Sequence, residues 1–149
     1  MKTARQVLES KSSQVIYSIP PGATVYAALQ LMADKGIGAV LVMEHGNILG
    51  ILSERDYARK VILMQRTSRE TLVRDIMTSA VIYVRATQST DECMALMTGH
   101  RMRHLPVLDD NDELIGMLSI GDLVKDIISE QQFIIEQLEH YIHGSPHPQ

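Results

Sequence analysis

Tryptophan is absent from this chain, and phenylalanine and cysteine occur only once each. Aromatic rings therefore cannot build the interior, which falls to Leu, Ile, Val and nine Met. Aliphatic and thioether cores adapt readily to neighbouring surfaces, which suits packed repeats. The lone Cys93 excludes an internal disulfide framework and any multi-thiolate metal site within one chain. Basic residues are not in excess either: 14 Lys and Arg against 18 Asp and Glu leave a net charge of −4. Phosphate backbones and anionic membranes demand a concentrated cationic surface, so general binding to either is excluded. No run of about 18 apolar residues exists to span a bilayer. The apolar stretch of a secretory signal does not follow Met1-Lys2-Thr3-Ala4-Arg5-Gln6, and the expected compartment is the cytosol. What is there is a chain of 149 residues, 45% hydrophobic and 21% charged. That suits one compact domain, or two small units sharing one core.

The chain repeats itself, which is the first pattern to seek in any sequence. Overlaying Ile19 on Val84 sets Thr24 on Ser89, Leu31 on Leu96, Met32 on Met97 and Val42 on Val107. The second copy then has one extra residue, in the polar connection Asp109-Asp110-Asn111-Asp112. Beyond it Gly50 meets Gly116, Leu52 meets Leu118, Ser53 meets Ser119 and Asp56 meets Asp122. A length change confined to a polar turn is what a duplicated fold tolerates best.

Each copy reads as strand, helix, strand, strand, helix. The first strand falls near 15–19 and again near 81–84, and the first helix starts at Thr24 or Ser89. Ser89-Thr90-Asp91-Glu92 is a capping box, whose side chains satisfy free backbone donors at a helix start. Val25, Ala28, Leu29 and Met32 recur at helical spacing, as do Cys93, Met94 and Met97. Two apolar runs flank Glu44-His45-Gly46-Asn47, and two more flank the acidic connection, each pair reading as a hairpin. Pro106 has no N–H, so its strand is expected at an edge, or with its donor side unpaired. Second helices begin near Glu54 and Ile120. The expected architecture is a pseudo-symmetric α/β pair, with repeats over 7–66 and 67–128 and a helical extension and tail over 129–149.

At Gly50-Ile51-Leu52-Ser53-Glu54-Arg55-Asp56 and Gly116-Met117-Leu118-Ser119-Ile120-Gly121-Asp122 the chain resembles the CBS domain family. That family's last strand ends in Gly-hydrophobic-x-Ser/Thr-x-x-Asp. Asp75-Ile76-Met77-Thr78 and Arg103-His104-Leu105-Pro106-Val107 are further family features, and the resemblance spans nearly all of 7–128. The first copy lacks Met-Thr at its entrance and Arg-His and Pro before its hairpin, so its selectivity should differ. The resemblance implies a tandem pair, or Bateman module, holding AMP, ADP, ATP or NAD in clefts between repeats. It implies regulation and signal transduction without catalysis, and a flat homodimer. The effector protein is unknown, and a stand-alone pair is the expectation.

The residues offer a mechanism for such binding. An ionised carboxylate accepts two hydrogen bonds at once, so Asp56 or Asp122 can hold both hydroxyls of a ribose. Ser53 and Ser119 sit at expected helix starts, where free N–H groups favour a phosphate. Arg55 could pair with that phosphate in the first copy, and Arg103 and His104 in the second. An adenine would lie against Gly38, Ala39 and Val40, or against His104, Leu105 and Pro106. Thr24 and Thr78 complete the candidates. Each has a structural competitor: Ser-x-x-Asp is itself a capping box, Arg55 a solvated charge, and Thr24 and Thr78 caps or loop packing. His100 and Arg101 suit a helix C-terminus, where cations complement the dipole. The acidic turn lacks the glycine and distal glutamate of an EF-hand loop. His140, His143 and His147 suggest at most a weak surface metal site, and Cys93 reads as core.

The final helix, expected from Ile120 to His143, spans roughly 35 Å. Leu123, Ile127, Ile134, Leu138 and Ile142 repeat at spacings of four and seven, beside Ile128, Ile135 and Tyr141. Its far half exposes apolar surface unless something covers it. Val7-Leu8 is one possible cover, and a homodimer contact is the expectation. A sensor of adenosine nucleotides is the leading reading. A ligand-free dimeric scaffold is the alternative, and a nucleotide-processing enzyme lacks a paired acid and base.

Overall fold

In the computed structural model, which describes residues 2–11 and 15–142, the duplication becomes two three-stranded sheets. The first contains β1 (Ser18–Ile19), β2 (Ala39–Glu44) and β3 (Asn47–Ser53), with β2 central. The second contains β4 (Val84–Arg85), β5 (His104–Leu108) and β6 (Leu114–Ser119), with β5 central. In each sheet the short first strand runs parallel to the middle one and the hairpin is antiparallel. The registers match: Val42 faces Gly50 as Val107 faces Gly116, and both ladders shift one residue later.

Helix α2 (Val25–Lys35) starts at Thr24 and stops at Gly36, which adopts φ +65°, a conformation glycine reaches without steric cost. Helix α5 (Thr90–His100) starts on the Ser89–Glu92 capping box and stops at Arg101, also left-handed. The basic cluster thus begins as a helix C-terminus, as the dipole argument expects. After β3, the second helix is a four-residue α-helix α3 (Glu54–Tyr57) continued by a π-helical turn, Ala58–Ile62. Its counterpart α6 (Ile120–Ile142) runs unbroken for 23 residues.

Pro106 takes the second of its two expected settings, with its donor side unpaired. It lies in the middle strand, paired with Met117, rather than at an edge. The Ile120 N–H donates to the Arg103 carbonyl at 2.8 Å. Alternation along the ladder then turns the Pro106 nitrogen toward the β4 side, where pairing begins only at Val107. A central strand tolerates proline there because its two-residue neighbour asks for no donor at that point.

Packing divides the chain differently from the repeats. Val15–Ile82 forms one compact unit, and Met1–Gln14 with Tyr83–Gln149 forms the other. Helix α4 (Val73–Ile76) opens the second repeat in sequence yet packs with the first, where Val73 and Ile76 join the core around Val25, Met32, Val40 and Leu52. Backbone bonds from Val73 to Ala23 (2.8 Å) and Arg74 to Pro21 (3.0 Å) fix it. Helix α1 (Ala4–Glu9) plays the same part for the second repeat, through Ala4 to Gln88 (2.8 Å) and Arg5 to Ala86 (3.0 Å).

The reason is a glycine in each hairpin. Ideal Cβ positions at Gly50 and Gly116 fall 2.7 Å from Met77 Sδ and Leu8 Cδ2 respectively. Only a bare backbone lets those side chains lie against the strand. Val7 and Leu8 are therefore buried, and the face of α6 that carries Leu123 is covered at its start. Its far half is not: Ile134, Ile135 and Leu138 are about half exposed, and Tyr141 and Ile142 more so.

Candidate functional site

The Ser-x-x-Asp segments fold as their hydrogen-bonding capacity dictates. Ser53 caps α3: its Oγ accepts from the Asp56 N–H (3.2 Å), and Asp56 Oδ2 accepts from the Ser53 N–H (3.0 Å) and hydroxyl (3.1 Å). Ser119 repeats the arrangement at the start of α6. Its Oγ accepts from the Asp122 N–H (3.1 Å), and its own N–H donates to Asp122 Oδ2 (2.8 Å). Both aspartates are thus capping residues. Both also keep carboxylate surface in reach of solvent, with side chains 13% and 22% exposed.

Each carboxylate is met by one lysine ammonium. Lys60, one turn beyond Asp56, sits 3.1 Å from Oδ1 and donates to the Ile76 carbonyl at 3.0 Å. The Thr78 hydroxyl donates to the same Oδ1 at 3.3 Å. Thr78 is held there by paired backbone bonds to Ile51, at 2.9 and 3.0 Å. It therefore joins Asp56 in the first unit, although in sequence it opens the second repeat. At Asp122 the ammonium comes from Lys11, 3.0 Å from Oδ2 and donating to the Met117 carbonyl at 2.9 Å.

The remaining candidates take graded positions. Gly38 and Ala39 lie where β2 starts, level with Ser53, and the Gly38 carbonyl accepts from the Glu54 N–H at 3.1 Å. Arg55 is exposed on α3. Val40, Leu105 and Pro106 are buried, so only their backbone could meet a ligand. His104 pairs with Ser119 across the second hairpin and is half-buried. Burial lowers its pKa; Asp122 pulls the other way, and Lys11 and Arg103 reinforce the fall. Arg103 is exposed beside it. Thr24 stands apart: its hydroxyl accepts from the Ala27 N–H (3.1 Å) and its backbone bridges to Leu72. The structure thus gathers Gly38, Ala39, Ser53, Arg55, Asp56 and Thr78 in one unit. It gathers Arg103, His104, Ser119 and Asp122 in the other.

Four residues near the two aspartates carry no motif: Lys60, Lys11, Lys2 and Asp126. Lys60 was legible as an i,i+4 partner of Asp56. Lys11 and Lys2 were not, because α1 lies over a hundred residues away in sequence. Asp126 is the unusual one. Its side chain is 3% exposed, Lys2 Nζ lies 2.6 Å from Oδ1, and Oδ2 is buried with no partner among the described residues. A buried unsatisfied acceptor costs about 1–3 kcal/mol, more when charged. The hydrogen bond from Lys2 to Asp126 holds the Lys2 ammonium above the usual lysine range. Asp122 and Asp126 both line a cavity of about 240 Å³ with Lys2, Lys11 and Lys125.

The false leads resolve simply. Asp109 Oδ1 accepts from the Asn111 (2.8 Å) and Glu113 (3.0 Å) N–H groups, and Asp112 pairs with Arg85, so the acidic connection is a turn. No group of three metal-binding side chains occurs among the described residues; His143 and His147 lie outside them. Cys93 is buried, and that burial pushes its thiol up to about 11. It is unsuited to nucleophilic chemistry.

Comparison with known proteins follows the duplication. The CBS domain model matches twice, over residues 8–63 and 73–129. A mitochondrial CBS domain-containing protein of Arabidopsis thaliana is 40% identical over 126 residues, 81% of this chain. The chain spans only 61% of that relative. The protein YhcV of Bacillus subtilis is 30% identical, over 84% of this chain and 87% of its own. Among solved structures, a candidate signal-transduction protein with CBS domains from Burkholderia ambifaria superposes with a TM-score of 0.84. It is 57% identical, over 87% of this chain and 96% of its own. A CBS protein of Agrobacterium tumefaciens gives 0.78 at 32% identity, over 84% and 98%.

Proposed function

The chain belongs to the CBS domain family, with two copies in tandem, and from that premise we propose that it senses adenosine nucleotides and regulates a partner without catalysing a reaction. The observation that carries this reading is the pairing of a partly open carboxylate with an ammonium at the same helix start in both repeats. A carboxylate takes sugar hydroxyls, and an ammonium beside it takes the phosphate of the same ligand. Gly38, Ala39 and Val40, or His104, Leu105 and Pro106, supply strand backbone for the adenine ring. Ser53, Arg55 and Thr78, or Arg103 and Ser119, supply donors for the phosphate. Thr24 serves the fold as a cap. AMP, ADP, ATP and NAD are the ligand class, and the module works in the cytosol. Among the described residues no helix is long and apolar enough to cross a membrane. The signal is a ligand-dependent repacking of the repeats, limited by the ligand's differential affinity for the two states.

Calorimetric titration with AMP, ADP, ATP, NAD and S-adenosylmethionine tests the reading. Binding in the micromolar range is expected for at least one of the adenosine nucleotides. Asp122→Ala should weaken it by about tenfold or more, as loss of a charged acceptor does. No heat from any of them leaves the second reading, a dimeric scaffold, which the capping role of both aspartates favours.

The exposed stripe on the far half of α6 supports a homodimer. Val124, Ile127, Gln131, Ile134, Leu138 and Tyr141 alternate at spacings of three and four, the pattern of a helix seam. Equilibrium sedimentation is expected to show a dimer, with Ile134→Glu shifting it to monomer. A monomeric parent chain at tens of micromolar would dismiss the pairing.

A further inference from the structure

The two aspartates of the motif differ in what they have left to offer. A carboxylate presents about four lone-pair sites. Four donors reach Asp56: the Ser53 N–H and hydroxyl at Oδ2, and Lys60 and the Thr78 hydroxyl at Oδ1. Two reach Asp122, the Ser119 N–H and Lys11, both at Oδ2. Its Oδ1 accepts nothing from the described residues.

One turn further the repeats diverge in kind. Where the first has Lys60, closing the site, the second has Asp126, and the buried Oδ2 of Asp126 is unpartnered. Positions four apart lie on one helix face, about 6 Å between Cβ atoms. Both carboxylates line the same 240 Å³ cavity, to which Lys2, Lys11 and Lys125 bring three cations against two anions. With Lys2 held by Asp126, Lys11 and Lys125 are the cations that suit a phosphate, and the two idle acceptors suit a pair of neighbouring hydroxyls.

Resting on the nucleotide reading, we infer that the chain has one effective sugar site, in the second repeat, where Asp126 joins Asp122 in accepting the ribose hydroxyls. Asp56, with its lone pairs occupied, leaves the first repeat without an acceptor of comparable strength. Lys2, whose side chain is 40% exposed, must swing aside as the sugar enters. The motif cannot reveal Asp126, because the family signature ends at Asp122.

Titration of the full chain with AMP, ADP and ATP tests the inference. One nucleotide per chain is expected. Asp126→Asn keeps the shape and removes the charge, and should weaken binding by about tenfold. Lys2→Met breaks the same ion pair while leaving both carboxylates, and should bind within about threefold of the parent. Equal losses in the two variants would mean that Asp126 only anchors α1, which overturns the inference. Two nucleotides per chain would overturn it as well, leaving the nucleotide reading in place, and this count decides the matter even if Asp126→Asn fails to fold. No heat with any of the three ends both.

Discussion

Leu118→Ala is expected to lower the unfolding free energy by about 3 kcal/mol. Leu118 is fully buried on β6, opposite the equally buried Leu105. Truncation removes three carbons from an interior that contains no tryptophan able to slide into the gap. The transfer and cavity contributions therefore add. Leu52 holds the matching place in the first sheet, opposite Val40, with the same burial, so Leu52→Ala should lose a similar amount. Leu63, 73% exposed, provides the contrast, and Leu63→Ala should stay within about 0.5 kcal/mol. Urea unfolding of the three variants measures this. A loss below 1 kcal/mol for Leu118→Ala would show that the site is not the close-packed core described.

Gly50→Ala should destabilise the chain by about 2–3 kcal/mol, and Gly116→Ala by less, about 1 kcal/mol. The two glycines are counterparts, so the difference lies in what a methyl group meets. At Gly50 it falls 2.9 Å from the Thr78 carbonyl oxygen as well as 2.7 Å from Met77 Sδ. That carbonyl is pinned, because Thr78 and Ile51 exchange two backbone hydrogen bonds. Relief at Gly50 would therefore break the segment that brings Thr78 to Asp56. At Gly116 all three nearest atoms belong to the Leu8 side chain, which can change rotamer. Urea unfolding of both variants gives the order, and a larger loss at Gly116 would refute this account.

Much of the fold was written in short-range pattern. Thr24 and Ser89 announced helix starts because a hydroxyl can satisfy a free N–H three residues on, and both do. The hairpins followed from apolar runs around polar turns. Pro106 met the second of its two expectations, a strand whose neighbour has no need of the missing donor. The two-residue β4 removes that need. The motif aspartates were found in register, with their caps, but neither of their lysines was found. Lys60 shares a helix with Asp56, whereas Lys11 meets Asp122 across a chain separation that no periodicity encodes.

By itself the sequence determined the duplication, the order of elements in each copy, the helix caps and the family. These depend on bonds between residues a few positions apart, and on apolar spacing that any reader can count. Only the tertiary structure decided that α1 completes the second sheet and α4 the first, that Asp56 meets Lys60 and Thr78, and that Asp126 is buried with one oxygen unpartnered among the described residues. Those facts arise because an apolar sheet face takes whichever helix can reach it. A carboxylate likewise takes whichever cation that packing delivers, however distant the two are along the chain.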